Sequence, residues 1–232
     1  MNNNKDVTIV AVDGPSASGK STVSRRVAAA APGFIYVDSG SLYRGVTWKC
    51  VQEGVDVKDT QAVTNLLIKM SMELFVERNA VCYRIDGVDP GMAIRGEAVR
   101  ERVSEIAAQQ PVRVYIVEKL RYMTRFGNLV MEGRDIGSVV FPDTPFKYYL
   151  DADPTERARR RHAEISKMEG KGDVEAVLSS LRKRDQKDST RATSPLQIAL
   201  GAKIINSTGM TIEQVVVLIL SDLRAAGAIP SA

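Results

Sequence analysis

Histidine and cysteine are almost missing from this chain, whose 232 residues include one histidine, two cysteines and one tryptophan. A disulfide framework or a zinc knuckle is thereby excluded, because Cys50 and Cys82 are too few and too far apart to build one. Both are read as packing thiols. His162, the single histidine, lies among arginines and is read as solvated rather than catalytic. No apolar run approaches the roughly 20 residues a membrane span requires. The opening MNNNKD lacks the apolar stretch of a secretory signal. A cytoplasmic protein with no membrane partner is therefore expected. A strong excess of one charge is also missing, since 32 Lys and Arg stand against 28 Asp and Glu. Their distribution is uneven, however, and residues 157–191 hold 11 of the 32 basic ones. Such a patch suits a polyanion, either nucleic acid or the phosphates of a small substrate. It contains no aromatic residue on which a base could stack, so nucleic acid is not the expected partner.

The chain is 44% hydrophobic, enough for the core of one domain of ordinary size. Its most informative stretch is residues 7–31. An apolar run (Val7, Ile9, Val10, Val12) leads into Gly14-Pro15-Ser16-Ala17-Ser18-Gly19-Lys20-Ser21, and then into Thr22 and the helically spaced Val23, Val27 and Ala30. This is a strand, a phosphate-binding loop and a helix. In such a loop the backbone N–H groups converge on phosphate oxygens, and the positive end of the helix dipole faces them. Lys20 would reach the β- and γ-phosphates and the Ser21 hydroxyl would ligate Mg²⁺. Residues Gly14 to Thr22 are thus the expected ATP site.

Phe34–Val37 is a second short apolar strand, ending at Asp38, and a helix follows from Ser39 with Leu42, Val46 and Val51 on one face. Residues 60–70 read as a helix. The period then changes to that of a hairpin, with strands 73–78 and 81–86 and a turn at Asn79-Ala80. Helices are expected over 97–108 and 111–126, the second opened by Pro111. Asn128–Glu132 and Phe146–Leu150 are further apolar strands. Gly133-Arg134-Asp135-Ile136-Gly137 lies directly after the first of them. Asp153-Pro154-Thr155-Glu156 opens an arginine-rich helix that ends near Glu169-Gly170-Lys171-Gly172, and another helix follows over about 174–187. Lys203–Asn206 is the last strand, and Thr211–Gln214 reads as a capping box before a terminal helix. The sum is an α/β protein, a parallel sheet of about five strands with helices on both faces.

Gly14–Ser21, Asp38-Ser-Gly-Ser-Leu-Tyr-Arg44, Gly133-Arg-Asp-Ile-Gly-Ser-Val-Val-Phe-Pro-Asp143 and Arg184-Asp-Gln-Lys-Asp188-Ser-Thr-Arg191 together resemble the bacterial cytidylate kinases. The resemblance runs from residue 7 to about 225. It implies a P-loop kinase core with a small inserted monophosphate-binding subdomain at 59–110, which carries the hairpin, and a helical lid at 156–172. It also implies residue roles. Ser39, Arg44, Arg134 and Arg191 match positions that hold the acceptor phosphate. Arg184 and Asp188 match those at the ribose hydroxyls, and Ser104, Arg113 and Asp135 those around cytosine. Arg157, Arg160 and Arg161 match lid arginines that fold over the donor phosphates, and with Lys20 and Arg134 they form the expected catalytic set. Two departures stand out: Ala17 replaces a loop glycine often seen in the family, and Glu132 stands where Asp is common. The implied partners are ATP, Mg²⁺, CMP and dCMP, and a monomer is expected.

The residue types make chemical sense on their own. An acceptor phosphate is already an anion at neutral pH and needs no strong general base before it attacks a phosphoryl group. It needs cations, because two multiply charged groups must approach in line. Other readings stay open at this point: a kinase for another monophosphate or for a small-molecule hydroxyl, or a GTP-driven switch or a nucleic-acid-dependent motor. The arginines beyond the loop exceed what a neutral hydroxyl would require, and no Asn-Lys-x-Asp guanine-reading segment is present.

Overall fold

A computed structural model describes residues 7–169 and 173–231. The opening MNNNKD and the Gly170-Lys171-Gly172 break, and with the latter part of the 156–172 lid, lie outside the described residues. The chain begins with strand β1 (Ile9–Asp13) and helix α1 (Lys20–Ala30), then β2 (Phe34–Asp38) and α2 (Ser39–Gln52). Next come α3 (Thr60–Lys69), the hairpin β3 (Met72–Glu77) and β4 (Ala80–Ile85), and the helices α4 (Glu97–Ala108) and α5 (Gln110–Tyr122). Strands β5 (Asn128–Gly133) and β6 (Phe146–Asp151) precede the helix pair α6 (Pro154–Glu169) and α7 (Val174–Thr190). Strand β7 (Lys203–Asn206) and helix α8 (Ile212–Ala225) complete the fold.

The strands form one sheet in the order β3-β4-β2-β5-β1-β6-β7. The five expected strands β2, β5, β1, β6 and β7 run parallel. The hairpin extends that sheet through a parallel pairing of Tyr36 with Ala80. Alternate residues of β1 face opposite layers, which is why its sequence reads as an unbroken apolar run. Ile9 and Ala11 pack with α2–α5 and the hairpin, and Val10 and Val12 with α1 and α8.

Several local expectations shift on inspection. The hairpin turn falls at Arg78-Asn79, one residue earlier than expected, with φ of 48° and 60° at these two positions. Two left-handed residues in a two-residue loop match the right-handed twist of the flanking strands. Helix α7 runs three residues further than expected, so Asp188 lies inside it and Arg191 caps its end. The expected 111–126 helix closes as a short 3₁₀ turn over Met123–Phe126. The expected capping box before α8 is present, with Gln214 N–H donating to Thr211 Oγ1 at 3.2 Å and Thr211 N–H to Gln214 Oε1 at 2.8 Å.

Candidate active site

The connection from β1 through α1 leads to β2 on one side, whereas β5 leads to β6 on the other, so the direction in which the chain winds across the sheet reverses at β1 and β5. Open α/β sheets bind ligands at the carboxyl ends of the strands where this happens. Two of the recognised segments sit there, the Gly14–Ser21 loop after β1 and Gly133-Arg134-Asp135 at the end of β5. A cleft of about 470 Å³ opens at this edge and is walled by α2, α4, α5, α6 and α7.

The loop's backbone has local causes. Gly14 has φ 145°, and a Cβ there would lie 2.1 Å from the Leu150 carbonyl oxygen of β6. Only glycine lets the chain leave the sheet at that point. Lys20 is 4% exposed and folds back over the loop, its Nζ donating to Pro15 O at 2.5 Å and Ser18 Oγ at 3.3 Å. Burial, and then Arg134, pushes its pKa down from 10.5 to about 7, against the pull of Glu132 and Asp13. A bound phosphate would supply the missing counter-charge and restore full protonation.

On the acceptor side, Asp38 caps α2 and accepts from Arg44 at 2.6 Å, while Ser39 Oγ donates to the Glu132 backbone carbonyl at 2.6 Å. Arg134 donates through Nε to Asp188 at 3.0 Å, and Arg191 stands 4.0 Å from the other oxygen of that carboxylate. Arg113 is 3% exposed and pairs closely with the buried Asp135. It also donates to Ala107 O at 3.2 Å. Burial pushes the proton affinity of Asp135 up, and Arg113 pulls it down. Burial likewise lowers the pKa of Arg184 to about 10, with neighbouring Arg134 acting in the same direction.

Among the described residues, buried nitrogens of Arg44, Arg113, Arg184 and Arg191 have no hydrogen-bond partner. Unpaired buried donors are costly, and here four guanidinium groups carry them around one cleft. An anionic ligand in that cleft would offset the charge these groups bring together.

The structure divides the residues singled out in the sequence. Ser16, Ala17, Gly19, Lys20, Ser21 and Thr22 line the cleft, as do Ser39, Arg44, Ser104, Arg113, Arg134, Asp135, Arg161, Arg184, Asp188 and Arg191. Gly14, Pro15 and Ser18 of the loop do not line the cleft. Arg157 and Arg160 do not line the cleft. Arg157 donates to Ala152 O at 3.0 Å, Ser16 O at 3.2 Å and Asp185 at 2.5 Å. Arg160 reaches Ser207 O at 2.8 Å and Ser18 O at 3.4 Å. In this arrangement both hold the loop's carbonyls, and only Arg161 of the three faces the cleft.

A profile of the family described as "Cytidylate kinase" matches residues 10–225. The cytidylate kinase of Nitrosomonas eutropha is 40% identical over 226 residues, covering 97% of this chain and 99% of that one. That of Caldanaerobacter subterraneus is 39% identical over 215 residues, covering 93% and 94%. This chain belongs to the cytidylate kinase family. Among solved structures, an uncharacterized protein from Eubacterium ventriosum shares the fold at a TM-score of 0.54 and 14% identity, covering 95% of this chain and 99% of its own.

Sequence reasoning missed several groups that shape this cytidylate kinase site. Asp13 is buried and accepts from Ile136 N–H at 2.8 Å and Gly137 N–H at 2.7 Å, fixing the turn after β5. Burial pushes its pKa up to about 6. Its position immediately before Gly14, as the one acid in an apolar strand, was the available signal. Tyr43, Met92, Ile94 and Arg95 also line the cleft, and nothing in their spacing marked them.

Proposed function

We infer that this kinase transfers the γ-phosphoryl group of ATP directly to the phosphate of CMP, and of dCMP, giving the diphosphate. The observation that carries this reading is the set of five arginines, Arg44, Arg113, Arg134, Arg184 and Arg191, that line a cleft floored by the phosphate loop. Lys20 and the loop N–H groups would hold the donor phosphates. Arg44, Arg134 and Arg191 would hold the acceptor phosphate, with Arg184 and Asp188 at the ribose. Repulsion between the two anions is the main barrier, and fixed cations that spread charge in the transition state lower it.

Mg²⁺ fits the same site. The donors beside Lys20 are hard oxygens, the Ser21 hydroxyl at the start of α1 and the Glu132 carboxylate, and Mg²⁺ is commonly held by one or two such groups together with substrate phosphates. When bound it would neutralise charge on the donor phosphates. For the base, Ser104 and Asp135 would accept from the cytosine amino group while Arg113 donates to N3 and O2.

A coupled assay with ATP and Mg²⁺ tests the reading. Lys20→Ala should lower kcat by orders of magnitude with the fold intact, and near wild-type turnover would remove the loop from the mechanism. Arg134→Ala should raise KM for CMP far more than KM for ATP. An equal effect on both would assign that arginine to the wrong nucleotide.

A further inference from the structure

Glu132 is 5% exposed at the end of β5, and its carboxylate accepts a hydrogen bond from Tyr36 of β2, whose Oη donates to Oε1 at 2.9 Å. Ser21, at the start of α1, is near enough to lower the proton affinity of Glu132. Tyr36 is 3% exposed. The strand register pairs Tyr36 with Val130 and Asp38 with Glu132, so Tyr36 and Glu132 are diagonal neighbours on one face of the sheet. A diagonal pair in a sheet is within reach only of long side chains, and Glu and Tyr together span it. The Arg25 guanidinium lies 4.2 Å from the Tyr36 ring centroid, a contact with the ring that does not involve the hydroxyl.

We propose that Tyr36 is a positioning residue for the metal: its hydroxyl holds the Glu132 carboxylate toward Ser21, in the orientation needed to receive Mg²⁺. This rests on the assignment of Mg²⁺ to Ser21 and Glu132 above. An unrestrained glutamate would sample several rotamers. Tied at one oxygen, it presents the other in a single direction before the metal arrives. Hydrogen bonds to a ligating carboxylate commonly set metal affinity in this way, and their loss costs about 10- to 100-fold.

The test is calorimetric titration of Mg²⁺ into the intact protein with saturating ADP, beside titrations of CMP and of metal-free ADP. Tyr36→Phe keeps the ring and deletes one oxygen. It should weaken Mg²⁺ binding about 10- to 100-fold, leave CMP and metal-free ADP within twofold, and keep a cooperative unfolding transition. Arg25→Met, which keeps the hydroxyl, should leave Mg²⁺ affinity within twofold. Adding Tyr36→Phe to Glu132→Gln should weaken Mg²⁺ binding no further than Glu132→Gln alone. If Glu132→Gln weakens Mg²⁺ binding and Tyr36→Phe does not, the role of Tyr36 is wrong and the metal assignment stands. If Glu132→Gln has no effect, the metal assignment fails and the role of Tyr36 with it. Equal weakening of Mg²⁺, CMP and metal-free ADP by Tyr36→Phe would mean general distortion and would also overturn the proposal.

Discussion

Lys20 illustrates how a functional residue can work against the stability of the protein that holds it. Its folded pKa of about 7 lies below the ordinary 10.5, so the folded state binds this proton more weakly than the unfolded state. The resulting penalty is present in full below pH 7 and disappears as pH rises toward 10.5. Lys20→Met should therefore be more stable than the parent in the absence of nucleotide, and the gap in unfolding free energy should close between pH 7 and pH 10. Urea titrations of both proteins at several pH values check this, and a gap that widens with pH would contradict it. Gly14 is constrained by sterics. Gly14→Ala would drive a methyl group into the Leu150 carbonyl, and a loss on the order of 3 kcal/mol in urea unfolding is expected, toward the upper end for single substitutions. The sequence made the glycine legible as part of a motif. The strand it would collide with, more than a hundred residues away, was not.

At the level of elements, helix α6 is where the sequence reading was least complete. Arg157, Arg160 and Arg161 are spaced i, i+3 and i+4, so the pattern assigns them to one face and one task. Tertiary contacts separate them. The carbonyls of Ser16 and Ser18 and the Asp185 carboxylate draw Arg157 and Arg160 against the loop, while Arg161 turns to the cleft beside Glu164. Different variants should therefore fail differently. Arg161→Ala should lower kcat at least tenfold with Tm nearly unchanged. Arg157→Ala should strip Asp185 and the loop carbonyl of a charged donor, costing about 1–3 kcal/mol. At about 2–4 °C per kcal/mol for a chain of this size, thermal unfolding should show a clear drop. A Tm unchanged by Arg157→Ala would mean that the contact is incidental. The start of α8 was legible because Thr211 and Gln214 cap it within their own segment. The end of α7 was not, because Asp188 is held by a distant partner, Arg134, just after β5.

Over the whole molecule, the parallel sheet and the position of the phosphate loop could be read in advance, since both follow from short apolar runs ending in glycine or charge. The convergence of α2, α4, α5 and α7 on one cleft was implied only by the resemblance, because it depends on strand order, which periodicity does not encode. That convergence brings Arg113 and Asp135 together with Ser104 at the cleft wall, and it makes the choice of acceptor the most exposed part of the account. Cytosine offers an amino donor where uracil offers a carbonyl, so UMP would leave the carboxylate and the arginine facing the wrong groups. One or two unpaired buried groups at about 1–3 kcal/mol each correspond to roughly 10- to 10³-fold in rate. The deciding measurement is kcat/KM for ATP-dependent diphosphate formation from CMP, dCMP, UMP, AMP and GMP with the intact protein. CMP should exceed UMP by that factor, with dCMP also used. Equal use of UMP, or no diphosphate from CMP, would contradict the account.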